Sequence, residues 1–176
     1  MKGVIFNLLE RVVTDEYGVD VWDDLIDDAG VTGAYSSLGN YDDSEIEALV
    51  AAAAAKTGQT RAQVLHWFGV RAMPLLRELY PSLFDPHGSS QDFVLSVNEM
   101  IHPEVRKLYP DAQCPFFHMR RSGEDVVSLK YESEREMIDL AHGFLDGAAE
   151  VYGDRIAVEK PSAGEAPDRL EVSWLR

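Results

Sequence analysis

Apolar residues recur every three or four positions along roughly the first 110 residues and then begin to alternate, and this change of period limits the chain to a mixed fold. Val4, Ile5, Leu8, Leu9, Val12 and Val13 make one amphipathic stripe, and Trp22, Leu25, Ile26 and Ala29 a second. Asp43 or Ser44 caps a third helix running to about Lys56, with Ile46, Leu49, Val50 and Ala53 buried and Thr57-Gly58 ending it. Thr60 caps a longer helix through Leu65, Phe68, Ala72, Leu76 and Leu79, stopped by Pro81, and Pro74 is expected to kink it. After a loop over 85–90, Phe93, Val94, Val97 and Ile101 resume helical spacing up to His102, where Pro103 bends or restarts the helix. From Asp111 the texture changes. Strand-like runs over 116–120 and 126–131 flank the turn Ser122-Gly123-Glu124-Asp125 and predict a β-hairpin. A further helix carries Met137, Ile138, Leu140, Ala141, Phe144, Leu145 and Ala148, and strands over 155–159 and 169–174 come after it, joined by a loop over 161–168. The expected fold is α+β: one domain with a helical part over about 1–60, then an α+β part over 61–176 with a roughly four-stranded antiparallel sheet and helices beside it.

Composition narrows the function classes. At 176 residues and 45% hydrophobic, the chain suits a single core. Its net charge is −15, and the first 60 residues hold 12 of the 31 acidic residues but 3 of the 16 basic ones. Such a surface repels nucleic acid and anionic lipid. The longest apolar run, over 48–55, is eight residues, whereas a membrane span takes about 20. The N-terminal apolar stretch is interrupted by Asn7, Glu10 and Arg11 and has no cleavage site, so a cytoplasmic location is expected. A single cysteine, Cys114, supports neither an internal disulfide nor a multi-cysteine zinc site. No phosphate loop, dinucleotide fingerprint or nucleophile elbow occurs, so nothing points to an enzyme.

Two patterns carry chemistry. In extended backbone Tyr131, Ser133 and Arg135 share one side, where a phenol, a hydroxyl and a guanidinium suit one or two carboxylates; an ordinary strand end with an exposed arginine has the same spacing. His102 lies between an apolar helical stretch and Pro103, which fits a hydrogen-bonded core histidine or a neutral imidazole ligand for haem iron. Cys114 beside Phe116 and Phe117 reads as a small buried hydrophobe. His66, His87, His118 and His142 show no shared metal-binding spacing and read as surface or core histidines.

Met1-Lys2-Gly3 before an apolar helix, Tyr17-Gly18, Trp22, the His102 segment, Pro115 and Tyr131-x-Ser133-x-Arg135 stand in the order found in the haem nitric oxide/oxygen binding (H-NOX) family. Over essentially its whole length the chain resembles these domains, which are related to the haem domain of soluble guanylate cyclase. The resemblance implies a haem b (iron protoporphyrin IX) held between the helical part and the sheet part. It implies His102 as the proximal iron ligand, Tyr131, Ser133 and Arg135 on the propionates, and Pro115 pressing on the porphyrin. Members that bind O2 carry a tyrosine five residues past the motif's arginine, where this chain has Leu140. With Met137, Ile138, Ala141 and Phe144 also apolar, the expectation is a ferrous haem that binds NO and CO and excludes O2. Ile5, Leu76, Leu140 and Phe144 would wall the pocket, and a donor from Tyr35, Trp67, His142 or Tyr152 would overturn that expectation. Some relatives have a C-terminal cysteine-rich zinc cluster, from which this chain departs.

The same resemblance implies that NO releases His102 from iron, that the porphyrin then flattens against Pro115, and that CO leaves His102 attached. Bacterial stand-alone relatives partner a histidine kinase or a cyclic-di-GMP synthase or phosphodiesterase, and with no effector domain in the sequence the signal is expected to pass to a separate protein. Asp23, Asp24, Asp27 and Asp28 form an acidic helix face of the usual solvated kind; as a partner contact it would steer a basic surface. The rival readings are a haem-dependent enzyme or redox sensor, and a haem-free adaptor that uses Tyr131, Ser133 and Arg135 to hold a partner carboxylate.

Overall fold

A computed structural model describes residues 1–161 and 166–175. The chain runs α1 (Gly3–Tyr17), α2 (Val19–Ala29), α3 (Asp43–Thr57), α4 (Arg61–Leu79), α5 (Pro81–Phe84) and α6 (Ser90–Leu95). A π-helical turn (Val97–Ile101) leads into α7 (His102–Leu108), and then come β1 (Phe116–Arg121), β2 (Val126–Glu132), α8 (Ile138–Tyr152), β3 (Arg155–Glu159) and β4 (Arg169–Leu175). The four strands form one antiparallel sheet in the order β1-β2-β4-β3, so β4 enters between the hairpin and β3. Part of the expected loop before β4, residues 162–165, lies outside the described residues.

Local chemistry explains where the elements begin and end. α4 opens on a capping box, in which the Thr60 side chain accepts from the Gln63 backbone and the Gln63 side chain accepts from the Thr60 N–H at 2.8 Å. At α3 the cap is Asp42, one residue before the expected Asp43 or Ser44; its carboxylate accepts from the Ser44 N–H at 2.8 Å. That leaves the Asp43 carboxylate free for longer-range partners. Pro74 does not end α4, but it removes the donor that a regular helix would give the Val70 carbonyl. Gly147 of α8 packs at that carbonyl, where a Cβ would lie 2.8 Å from it.

Two hydrophobic clusters divide the interior. One joins α1–α4 through Phe6, Leu9, Val13, Trp22, Leu49 and Phe68, and the other joins the sheet to α6 and α8 through Phe93, Val127, Leu129, Leu145, Leu170 and Val172. α4 and α8 contribute to both, Phe68 and Leu140 to the first, Met73 and Leu145 to the second. The two helices approach unusually closely because glycines face each other: a Cβ on Gly143 would sit 2.1 Å from the His66 carbonyl oxygen and 2.9 Å from the Gly69 Cα. Among the described residues no helix is long and apolar enough to cross a membrane.

Candidate functional site

Between the two clusters lies a cavity of about 640 Å³, a volume suited to a cofactor. Ile5 of α1, Leu76 of α4, and Leu140 and Phe144 of α8 line it, as do His102, Pro115, Tyr131 and Arg135. Of the residues expected to hold the haem or wall its pocket, Ser133 alone is absent from the lining. The cause is local: β2 ends at Glu132 and the chain turns at Glu134 and Arg135, so the extended register does not persist to Arg135. The Ser133 hydroxyl instead accepts from the Arg135 backbone N–H at 3.3 Å.

His102 reaches the cavity because of an irregularity. The π-helical turn before it admits one extra residue per turn, and Pro103 then occupies the first turn of α7, where its missing donor costs nothing. Asn98 within the turn clamps the backbone of Phe117, donating to its carbonyl at 2.6 Å and accepting from its N–H at 3.2 Å. Burial pushes the His102 imidazole down to about 4, aided by the nearby Arg106 charge and opposed by a hydrogen bond to the Pro115 carbonyl. The ring is therefore neutral at physiological pH. With one ring N–H given to Pro115, the other nitrogen keeps its lone pair.

Arg135 is held in place before any ligand arrives. Its Nε donates to Asp43 at 2.8 Å and its Nη1 to the Gln113 carbonyl at 2.8 Å. The N-terminal ammonium donates to the same Asp43 at 2.6 Å. Burial alone would raise the Asp43 carboxyl, but these two cations together hold it below its ordinary range. Asp43 also lines the cavity, a role that its reading as a helix cap concealed. Tyr80 and Tyr109, likewise unexpected, line the cavity with their hydroxyls bonded to each other. Cys114 lines it too, and burial pushes its thiol up, in keeping with a small hydrophobe.

The four side chains that the sequence offers as alternative gas-binding donors are all engaged elsewhere. Tyr35 donates to Glu45 at 3.0 Å, Trp67 to Glu16 at 3.3 Å and Tyr152 to the Phe84 carbonyl at 2.8 Å, while His142 pairs with Asp146 at 3.4 Å. None of the four lines the cavity.

The chain matches the family profile described as Haem-NO-binding over residues 2–160. It belongs to that family, the H-NOX proteins. An H-NOX protein from S. oneidensis in the Fe(II)NO ligation state superposes with a TM-score of 0.91 at 26% identity, each chain covered in full. The H-NOX domain of Shewanella oneidensis in the Fe(II)CO state gives 0.85 at 27% identity, with 99% of each chain covered. An oxygen-binding H-NOX domain related to soluble guanylate cyclases shares the fold at 0.81 and 24% identity, covering all of this chain and 96% of its own. H-NOX domains are haem-binding gas sensors, and this one is a sensor domain rather than an enzyme.

The H-NOX cavity fits haem in its donor chemistry. Its apolar walls suit the faces of a porphyrin, a neutral imidazole suits the iron, and Arg135 already holds one carboxylate, that of Asp43. Sequence separation hid one other grouping: His66, His142 and Asp146 meet on the α4–α8 pair, although no spacing along the chain relates the two histidines.

Proposed function

We propose that this H-NOX domain is a sensor that takes NO and CO at a ferrous haem b, excludes O2, and passes the signal to a separate protein. The observation that supports the selectivity is the wall formed by Ile5, Leu76, Leu140 and Phe144, together with the engagement of Tyr35, Trp67, His142 and Tyr152 elsewhere. Bound O2 carries partial negative charge and needs a hydrogen-bond donor that such a wall does not offer, whereas NO and CO do not.

In this reading His102 would hold the iron, Tyr131 and Arg135 would hold the propionates with Ser133 supporting Arg135 through its backbone N–H, and Pro115 would bear on the porphyrin. Haem bound there would supply a ferrous iron able to take the gas, and His102 would be the side chain that holds that iron. His102 then acts as a latch. His102 opens α7 directly after the π-helical turn, and Asn98 in that turn is hydrogen-bonded to Phe117 of β1, so a change at the imidazole would reach the sheet by this route. The receiving partner is a histidine kinase or a cyclic-di-GMP synthase or phosphodiesterase in the cytoplasm. The α2 face bearing Asp23, Asp24, Asp27 and Asp28 is exposed and forms part of the contact.

The test is an anaerobic absorption spectrum of the haem-loaded ferrous protein before and after NO and CO, beside His102→Ala. The reading expects loss of the histidine ligand with NO, its retention with CO, and an unchanged spectrum in air over minutes. Retention of His102 with both gases overturns the latch, and a stable O2 complex overturns the selectivity.

A further inference from the structure

α4 and α8 carry a second constellation with ligand chemistry, away from the cavity. His66 projects from α4, and His142 and Asp146, spaced i,i+4, project from one face of α8. Their ligand atoms lie within 4.8 Å of one another, and among the described residues no other group of three or more His, Cys, Asp or Glu does so. Asp146 Oδ2 stands 2.7 Å from His66 Nε2 and 3.4 Å from His142 Nε2, so one carboxylate oxygen faces both imidazoles. The rings meet edge to face with centroids 4.5 Å apart.

The backbone holds this arrangement. Gly143, adjacent to His142, allows α8 to touch the His66 carbonyl, so the histidine on one helix cannot drift far from the pair on the other. Ligand atoms about 2.1 Å from a tetrahedral zinc ion lie roughly 3.4 Å apart, a separation that His142 and Asp146 already have. To take part, His66 gives up its hydrogen bond to Asp146 and moves back from that oxygen by roughly 0.7 Å. The nearest further charges, Lys160 and Asp139, pair with each other. Side-chain exposures of 37% for His66, 21% for His142 and 32% for Asp146 leave room for water as a fourth ligand.

We propose that His66, His142 and Asp146 form a metal site, separate from the haem cavity, for a divalent ion of the zinc class. Two imidazoles and a carboxylate select such an ion over magnesium or calcium, which prefer all-oxygen shells. Bound there, the ion links α4 to α8 on the face turned away from Leu140 and Phe144, which line the haem cavity. The site does not depend on which gas the haem takes.

The experiment is calorimetric titration of Zn²⁺ into chelator-treated, haem-loaded protein, with zinc and iron counted after gel filtration. Wild type should retain one zinc per chain besides the haem iron. Affinity should fall at least tenfold in His66→Ala and in Asp146→Asn, and stay unchanged in His118→Ala, which lies outside the site. Saturating zinc should raise the melting temperature of wild type by several degrees and leave that of His66→Ala unmoved. His66 is the most exposed of the three, so this variant keeps the test valid if Asp146→Asn folds poorly. Equal zinc binding by wild type and His66→Ala, or none by either, overturns the site and leaves a hydrogen-bonded trio.

Discussion

At the scale of single residues, His102 and Leu140 are the two cavity positions at which the proposed function is most directly testable. The imidazole reaches physiological pH neutral because burial disfavours its charged form, so no proton must leave before it can act as a ligand. His102→Ala is expected to lose the histidine-ligated absorption spectrum and to regain it when free imidazole is added, with far-UV circular dichroism unchanged. Leu140→Tyr brings a hydroxyl to the apolar wall and is expected to form an O2 complex stable enough to record in air. The extra atoms overpack the wall at a cost of about 1–3 kcal/mol, readable as a lower melting temperature. Arg135 joins these two in importance, since it binds both Asp43 and Gln113 and so has its geometry set before a ligand carboxylate competes for it.

At the scale of elements, the α4–α8 contact leaves no room for a side chain at Gly143. Gly143→Ala drives a methyl into the His66 carbonyl, a backbone atom that cannot rotate away. The expected cost is about 1–3 kcal/mol or more, which for a chain of this size lowers the melting temperature by roughly 2–4 °C per kcal/mol. Gly123→Ala, with nothing within 4 Å of its added methyl, serves as the control and should melt as wild type does. Thermal unfolding by circular dichroism distinguishes the two. Periodicity made most of these elements legible, because an amphipathic stripe such as Val4 to Val13 has one face to bury and an alternating run such as β2 has another. It could not reveal the π-helical turn, since Val97 and Ile101 are four apart and read as ordinary helix. Nor could it show that β2 stops at Glu132, before the turn at Glu134 and Arg135 breaks the alternation. His102, Pro115, Tyr131 and Arg135 were readable by motif. The meeting of His66 with His142 was not, because it depends on how two helices pack across 75 intervening residues.

At the scale of the whole molecule, Asp43 ties distant parts of the chain together. It joins the start of α3 to the chain terminus and to Arg135 beyond β2, across the rim of the cavity. Its carboxyl titrates below the ordinary value of 3.8 in the folded chain, so the stability it lends is fully present above about pH 4 and disappears as pH falls through that lower folded value. Asp43→Asn should therefore melt below wild type at pH 7, and the two melting curves should converge in acid. The side chain is 42% exposed, so solvent screening keeps the difference modest. Charge reversal at Asp23, Asp24, Asp27 and Asp28 leaves this tie untouched and should weaken partner binding most at low salt; equal affinity at every ionic strength would remove the α2 face from the contact. The extra residue in the turn over Val97–Ile101 also bears on the whole chain. Deleting one residue there would restore a regular α-helix yet rotate α7 by about 100° and draw it back by about 1.5 Å. His102 would then point to another quarter of the interior with every side chain around it intact. A single-codon deletion several residues upstream of His102 would thus displace its imidazole further than most exchanges of its neighbours would.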